Sequence, residues 1–589
     1  MPALEKKFTT IVDMFDKSVE KFAARDLFGV KRDGTWSWLT YADVKARVDA
    51  ARGGLAQLGV GRGDRVAIIS NNRPEWAIAA YATYGLGAAY VPMYEAQHLE
   101  EWEFITHDCG AKVLIAPNRA TFEKVKRLVG KLDALKHVLC LEGDGADSFA
   151  GLIKSGEGAP VPALQPDPSD VMGLIYTSGT TGQPKGVLLT HDNIASNVSA
   201  VHQIFPISPD DRSLSFLPWA HSFGQTCELH AMLSMGASIA VNSAVDQLIA
   251  ELAEVRPTML FSVPRIFNRI YDGVQKQMSE KPGAIQGLFR SGLAAAAKQR
   301  DQRPLGFFEG IKLSLAKKLI FGKIVAKFGG RLRYAFSGGA ALSKDVAEFI
   351  DGLGILVYEG YGLTETSPIA SANCPAARRI GSVGKPIPGV TIEIDESVGN
   401  DGSGEVVVHG HCVMQGYHNR PEENAKVLTE THGFRTGDLG RYDADGFLYI
   451  TGRIKEQYKL ENGKYVVPSP LEEDLKLSPF IINAMVYGDN KLFNVALIVP
   501  DPDAVKKLAA EAGLSGTLEE LVQQEAIKKR LGEEIEKASA HFRSFDKVKK
   551  FALIAEDFTV QNDLLTPTMK LKRRKVVERY ADQLAKLYT

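Results

Sequence analysis

The chain has 589 residues, more than one hydrophobic core usually holds, so at least two domains are expected. Its composition, with 45% hydrophobic and 24% charged residues and 55 glycines, is that of an ordinary globular protein rich in tight turns. A net charge of −1 argues against nucleic acid as a general partner. Five scattered cysteines without CxxC spacing indicate neither a disulfide framework nor a zinc site.

The first residues mix both charges and lack the apolar core of a signal peptide, and with the cysteine usage this points to the cytoplasm. Short β-branched runs follow: RVAIIS at 65–70, AKVLIA at 111–116 and HVLCL at 137–141 read as buried strands with helices between them. Trp76 to Tyr94 carries no charge, but Gly85, Gly87 and Pro92 interrupt it. It reads as a buried helix, a turn and a short strand, and no membrane span is expected. A Pro- and Gly-rich linker at 155–170 precedes a second series, RSLSFLPW, ASIAVNS, TMLFSVP, LRYAFSGG and ILVYEGYG, again alternating with helical patterns. Two α/β layers with largely parallel strands are implied. From about 380 to 453, GVTIEI, GEVVVHG and GFLYITGR are divided by turns such as Asp445-Gly446 and suit a small antiparallel β-barrel. After Arg453 the pattern becomes α+β. A boundary at 453–456 separates a large domain, 1–453, from a small one, 456–589.

The segment YTSGTTGQPKGV at 176–187 carries Gly179, Gly182 and Gly186, the hydroxyls of Thr177, Ser178, Thr180 and Thr181, and Lys185, with no acid among them. Such a loop suits a polyphosphate, because its backbone can approach closely and its donors are dense. The spacing is not that of a Walker A loop. The segment closely resembles the signature of the adenylate-forming superfamily, which contains acyl-CoA synthetases, luciferases and the adenylation domains of peptide synthetases.

That resemblance implies further site pieces, and each has a matching segment. Gly338, Gly339 and Ala340, between a strand-like and a helical run, would line the adenine pocket. In YEGYGLTET at 358–366, with Glu359, Gly360 and Gly362 in the same motif, Tyr361 would lie on the adenine face. Thr364 would contact phosphate, and Glu365 would bind Mg2+. Asp438 would accept the ribose hydroxyls, and Arg453 would contact ribose or phosphate. His221, in PWAHSFG, would border the acyl carboxylate. In NDLLTPTMKLKRR at 562–574, Lys570 resembles the family's catalytic lysine. Met569 departs from the usual glycine before it, as in the long-chain synthetases.

The segment GRIKEQYKLENGKY at 452–465 and an inserted helical stretch at about 281–330 resemble long-chain acyl-CoA synthetases most. The function implied is ATP-dependent conversion of a long-chain fatty acid to its adenylate, then thioester formation with coenzyme A, with AMP and pyrophosphate released. Lys570, Glu365, Thr181 and Lys185 would be catalytic. Lys455 would be the hinge of a mobile C-terminal domain, and Lys459 would lie on its coenzyme A face. The alternatives are a fatty acyl-AMP ligase, another adenylate-forming ligase and a nonreactive acyl-nucleotide sensor. The inserted stretch holds ten Lys or Arg against Asp301 and Glu309, with Phe307, Phe308, Leu319, Ile320 and Phe321 among them. Peripheral contact with an anionic membrane is therefore expected there.

Overall fold

The computed structural model describes residues 3–177, 183–399 and 402–589. Two large sheets carry the N-terminal three-quarters of the chain. One has seven strands in the order Gly416–Tyr417, Lys185–Thr190, Val171–Thr177, Ala89–Met93, Arg65–Ile69, Val113–Ala116 and His137–Cys140. It is parallel from Val171–Thr177 onward, while Lys185–Thr190 and Gly416–Tyr417 run antiparallel at the near edge. The other has nine strands, Lys385–Pro386, Ile369–Ala372, Val357–Gly362, Tyr334–Ser337, Met259–Ser262, Arg212–Ser215, Ser238–Val241, Asp26–Arg32 and Thr35–Thr40. Its middle is parallel and its outer strands are antiparallel.

The uncharged stretch from Trp76, with the turn of helix before it, explains how the sheets are joined. Helix Pro74–Tyr84 is buried at every residue except Glu75, so it is apolar all round because protein covers it on all sides. Trp76 and Tyr84 share one core with Val66 and Ile68 of the seven-stranded sheet and with Phe28 and Ile239 of the nine-stranded sheet. Among the described residues no helix is long and apolar enough to cross a membrane.

The segment expected as a small barrel forms an antiparallel sheet of four strands, Val390–Asp395, Gly404–Gly410, Phe434–Tyr442 and Leu448–Arg453. Beyond it, Ile481–Tyr487, Asn494–Pro500 and Val548–Leu553 make a separate sheet with cores of its own on its two faces. The hairpin Asp26–Thr40 has no strong alternation in its sequence. Its Val30, Trp36 and Trp38 are only partly buried at the sheet edge, and the pattern is weak for that reason.

The inserted segment folds as helices Gly283–Arg300 and Phe307–Ala316, which run on through Lys317–Phe321 to Gly322–Ala326. Phe289, Leu313, Ala316, Ile320, Phe321 and Ile324 pack onto the outer face of the nine-stranded sheet. The expectation that Ile320 and Phe321 reach a membrane is therefore corrected. They are 6% and 2% exposed and fill the core, whereas Phe307, Phe308 and Leu319 face outward.

Candidate active site

Strands Val171–Thr177 and Lys185–Thr190 form a hairpin whose last pair is Thr177 with Lys185. The two described ends of the phosphate-loop motif, Thr177 and Lys185, thus lie on paired strands. Of its expected ligands, Ser178, Gly179, Thr180, Thr181 and Gly182 lie outside the described residues. Lys185 forms an ion pair with Glu423, on helix Pro421–Val427, and its Nζ lies 5.2 Å from the centre of the Tyr417 ring. The Tyr417 hydroxyl donates to Glu365 Oε1 at 2.7 Å, and Met414 N donates to the Glu365 carbonyl at 2.9 Å. Glu365 is thereby fixed to the edge strand that pairs with Lys185's own strand. Burial holds the Lys185 ammonium below the usual lysine range, reinforced by Lys455, Arg420 and Lys426 and opposed by Glu365. Thr364 lies beside this group, its hydroxyl 3.3 Å from that of Ser222.

A second cluster adjoins the first. Asp438 and Arg453 face each other across paired strands, and Arg453 Nε donates to Asp438 Oδ1 at 2.6 Å. The Tyr361 hydroxyl donates to Oδ2 at 2.8 Å. Asp438 is the largest cause that raises the guanidinium pKa of Arg453, and burial above all raises that of the Tyr361 phenol. Strand Val357–Gly362 carries Tyr361 up to Gly362, where a Cβ would lie 1.7 Å from the Pro368 carbonyl oxygen, so only glycine fits the turn into Thr364. Next to it, Tyr334–Ser337 ends in Gly338, Gly339 and Ala340. Gly338 lies against the Phe223 ring, while Gly339 takes a φ of +81° and, with Ala340, is open to solvent. The Glu359 side chain does not join the cluster. It is buried and pushed up to about 7, with the Gly381 and Leu342 amides bearing on it, so it braces the far end of that turn.

Lys570 reaches both clusters from the C-terminal part of the chain. Its loop is closed by Thr566 N donating to the Lys570 carbonyl and Met569 N to the Thr566 carbonyl, both at 2.8 Å. Lys570 remains exposed to solvent. Desolvation lowers its pKa and Arg453 adds to this, while Asp438, Glu365 and Glu456 oppose it. His221 lies within the same field. Burial, with Lys570 second, lowers its pKa to about 4, so the imidazole is neutral at pH 7. Phe223 N donates to His221 Nδ1 at 3.1 Å, which leaves the proton on Nε2. The chain then enters a π-helical stretch, Phe223–His230, a geometry frequent at functional sites. By contrast, Lys572 is tied to Asp563 at 2.5 Å. Lys459 stands on the hairpin Tyr458–Lys459/Tyr465–Val466, its Nζ 5.5 Å from the Tyr465 ring.

A lysine at the start of a hairpin strand, a carboxylate on a 3-10 turn, an Asp–Arg–Tyr cluster and a lysine from the C-terminal part of the chain thus converge. Residues 15–418 match the family described as AMP-binding enzyme, and residues 455–589 match the AMP-binding enzyme C-terminal domain. The chain belongs to the AMP-binding enzymes. It is 34% identical over 568 residues to a long-chain-fatty-acid–CoA ligase, FadD15, of Mycobacterium tuberculosis, covering 94% of this chain and 93% of that protein. It is 31% identical to the peroxisomal long chain acyl-CoA synthetase 7 of Arabidopsis thaliana, covering 98% and 86%. The fold is that of the adenylation domain of a carboxylate reductase from Mycobacterium chelonae, with a TM-score of 0.80 at 23% identity over 98% of this chain and 91% of that one. It also matches the anthranilate CoA ligase AuaEII, with a TM-score of 0.73 at 21% identity over 100% and 99%.

Sequence reasoning missed Tyr417, Glu423 and Glu456 in this AMP-binding enzyme. Tyr417 and Glu423 reach Lys185 because Gly416–Tyr417 pairs with Val187 and Leu188, a contact more than two hundred residues apart in sequence. Only the run GYHNRPEEN beside a glycine hinted at them.

Two measurements check this geometry. In NMR of histidine-labelled protein, the His221 imidazole titrates near pH 4, and Lys570→Met moves it upward by less than burial moves it down. Met569 holds a φ of +62°, where a side chain costs about 1–2 kcal/mol. In urea unfolding, Met569→Gly is accordingly at least as stable as the parent and Met569→Val is about 1 kcal/mol less stable. Equal stability of all three would contradict the left-handed turn.

Proposed function

We propose that this AMP-binding enzyme is a long-chain fatty acid–CoA ligase, consuming ATP and releasing AMP and pyrophosphate. The observation that carries the reading is Lys570 facing Glu365, Asp438 and His221 at once. A fatty carboxylate and the α-phosphate of ATP are both anions, so their encounter needs positive charge and alignment more than acid–base chemistry. Lys570 bridges the two. The carboxylate oxygen then bonds to the α-phosphorus as the bond to pyrophosphate breaks. Neutral His221 presents Nε2–H toward the carboxylate without exchanging a proton.

Thr177, the loop residues 178–182 and Lys185 hold the phosphates, with Thr364 beside them. Gly338, Gly339 and Ala340 with Tyr361 form the adenine seat. Asp438 turns its two oxygens from Tyr361 and Arg453 to the ribose hydroxyls. Glu365 fits a magnesium ion. Its Oε1 is engaged by Tyr417, its Oε2 has no hydrogen-bond partner among the described residues, and Mg2+ usually takes only one or two protein carboxylates when phosphates supply the rest. When bound, that ion would offset phosphate charge.

In the second step the coenzyme A thiol attacks the acyl carbonyl and AMP leaves. Residues 456–589 swing about Lys455 between the steps and bring Lys459 to the site in place of Lys570. The acyl length rests on the relatives' names and on the resemblance of 452–465 and the inserted helices. A substrate that partitions into bilayers favours an enzyme lying against one. The basic inserted segment supports such peripheral contact from the cytoplasmic side.

AMP release with coenzyme A across acids of graded length tests the substrate class: oleate outpaces acetate and benzoate, and the reverse order sinks the reading. Asp438→Ala and Glu365→Ala each cost about 1.5–3 kcal/mol in ATP use, read as kcat/KM for ATP, while the KM for oleate stays near the parental value. Lys570→Ala abolishes pyrophosphate release from ATP and oleate yet still makes thioester from supplied oleoyl-adenylate. Lys459→Ala does the opposite, and equal loss of both half-reactions in both variants would remove the division of labour.

A further inference from the structure

The helix Phe307–Ala316 has two apolar faces, and the fold uses only one. At about 100° per residue, Leu313 and Ala316 point to the core, while Phe307, Phe308, Ile311 and Leu315 fall within one arc of about 100° on the opposite side. Leu319 continues that row one turn further on. These five side chains are 79%, 75%, 43%, 44% and 50% exposed in chain order. Single exposed apolar residues are ordinary, but five in one row, two of them phenylalanines almost wholly in water, form a patch that a soluble surface does not usually carry.

The surroundings select the occupant. Lys312 borders the arc and Lys318 stands beside Leu319, with Lys323 following. None of these three forms a salt bridge among the described residues. The stretch 281–330 carries a local charge of +8 in a chain of net charge −1. A second copy of this chain would bring the same positive charge against it, and like charge repels. A neutral apolar partner leaves the lysines without a role. An anionic lipid surface satisfies both features, with phenyl rings entering the acyl boundary and ammonium groups meeting headgroups.

We infer that Phe307, Phe308, Ile311, Leu315 and Leu319, flanked by Lys312 and Lys318, form a face that lies flat in the interface of an anionic bilayer. This rests on the membrane contact within the proposed function and deepens it. Helix Gly283–Arg300 and residues Ile320, Phe321 and Ile324 are not the contact but its foundation, since they anchor the face to the nine-stranded sheet that also carries Gly338 and Tyr361. The enzyme can therefore take its substrate from the surface on which it rests.

Flotation with vesicles made of equal parts phosphatidylcholine and phosphatidylserine tests the face. The parent floats with these and not with pure phosphatidylcholine. Phe307→Ser with Phe308→Ser weakens binding at least about tenfold, and Lys312→Glu with Lys318→Glu abolishes it at low salt. Phe308→Trp gives a blue-shifted emission quenched by brominated acyl chains. AMP release from albumin-delivered oleate remains parental in all three variants, so their folds and the ligase reading are checked separately. Undiminished flotation of the phenylalanine variant, equal binding to neutral vesicles, or phenylalanine-dependent self-association without lipid binding would each overturn the proposal. Vesicle binding by a chain that releases no AMP from oleate would instead overturn the ligase reading and leave the face standing.

Discussion

A lysine crowded by protein and set beside a guanidinium is favoured by carboxylates near it, and the arrangement of this site follows from that preference. Lys570 meets Arg453 and the barrier of desolvation on one side and Asp438, Glu365 and Glu456 on the other. The two acids of the large domain come from different sheets. Asp438 is on the four-stranded antiparallel sheet, and Glu365 is on the 3-10 turn Thr364–Thr366 between two strands of the nine-stranded sheet. Their convergence opposes the effect of Arg453 on the Lys570 ammonium, so the charge balance at Lys570 depends on three separate elements packing together.

The same balance separates the two histidine-sized questions at the site, charge and reach. Nearby Lys570 and burial both act to keep His221 uncharged, so the imidazole presents a neutral Nε2–H at neutral pH. Asp438, by contrast, is already satisfied twice, by Tyr361 and Arg453. Under the proposed ribose role of Asp438, a nucleotide would exchange those bonds for its own, a cost that would select for ligands offering two hydroxyls at the right spacing.

Much of this was legible in the sequence because the residues are local. The phosphate loop, the run from Tyr358 to Thr366 and the turn before Lys570 are continuous stretches whose chemistry can be read in order. The central strands of both sheets show as β-branched runs because both faces are covered. What was not legible depends on pairing. The helix Pro74–Tyr84 shows only that it is buried, not that it lies between two sheets. Tyr417 and Glu423 reach Lys185 through the short edge pairing of Gly416–Tyr417, which leaves no periodic trace. Ile320 and Phe321 cannot be told from Phe307 and Phe308 by hydrophobicity. Their sides of the helix differ, and the packing on the sheet assigns them.

The ion pair between Lys185 and Glu423 has a consequence for the end of a catalytic cycle. If the 176–187 segment holds polyphosphate, as proposed, it would also retain it, and a tightly kept by-product slows every later turnover. Glu423 is an anion supplied by the protein itself, tethered on helix Pro421–Val427 within reach of that lysine. Under the proposed function, in which Lys185 holds phosphate, Glu423 would take back the ammonium as pyrophosphate departs, a built-in counter-ion for the lysine. Such a device trades some affinity for the incoming nucleotide against faster clearing of the loop.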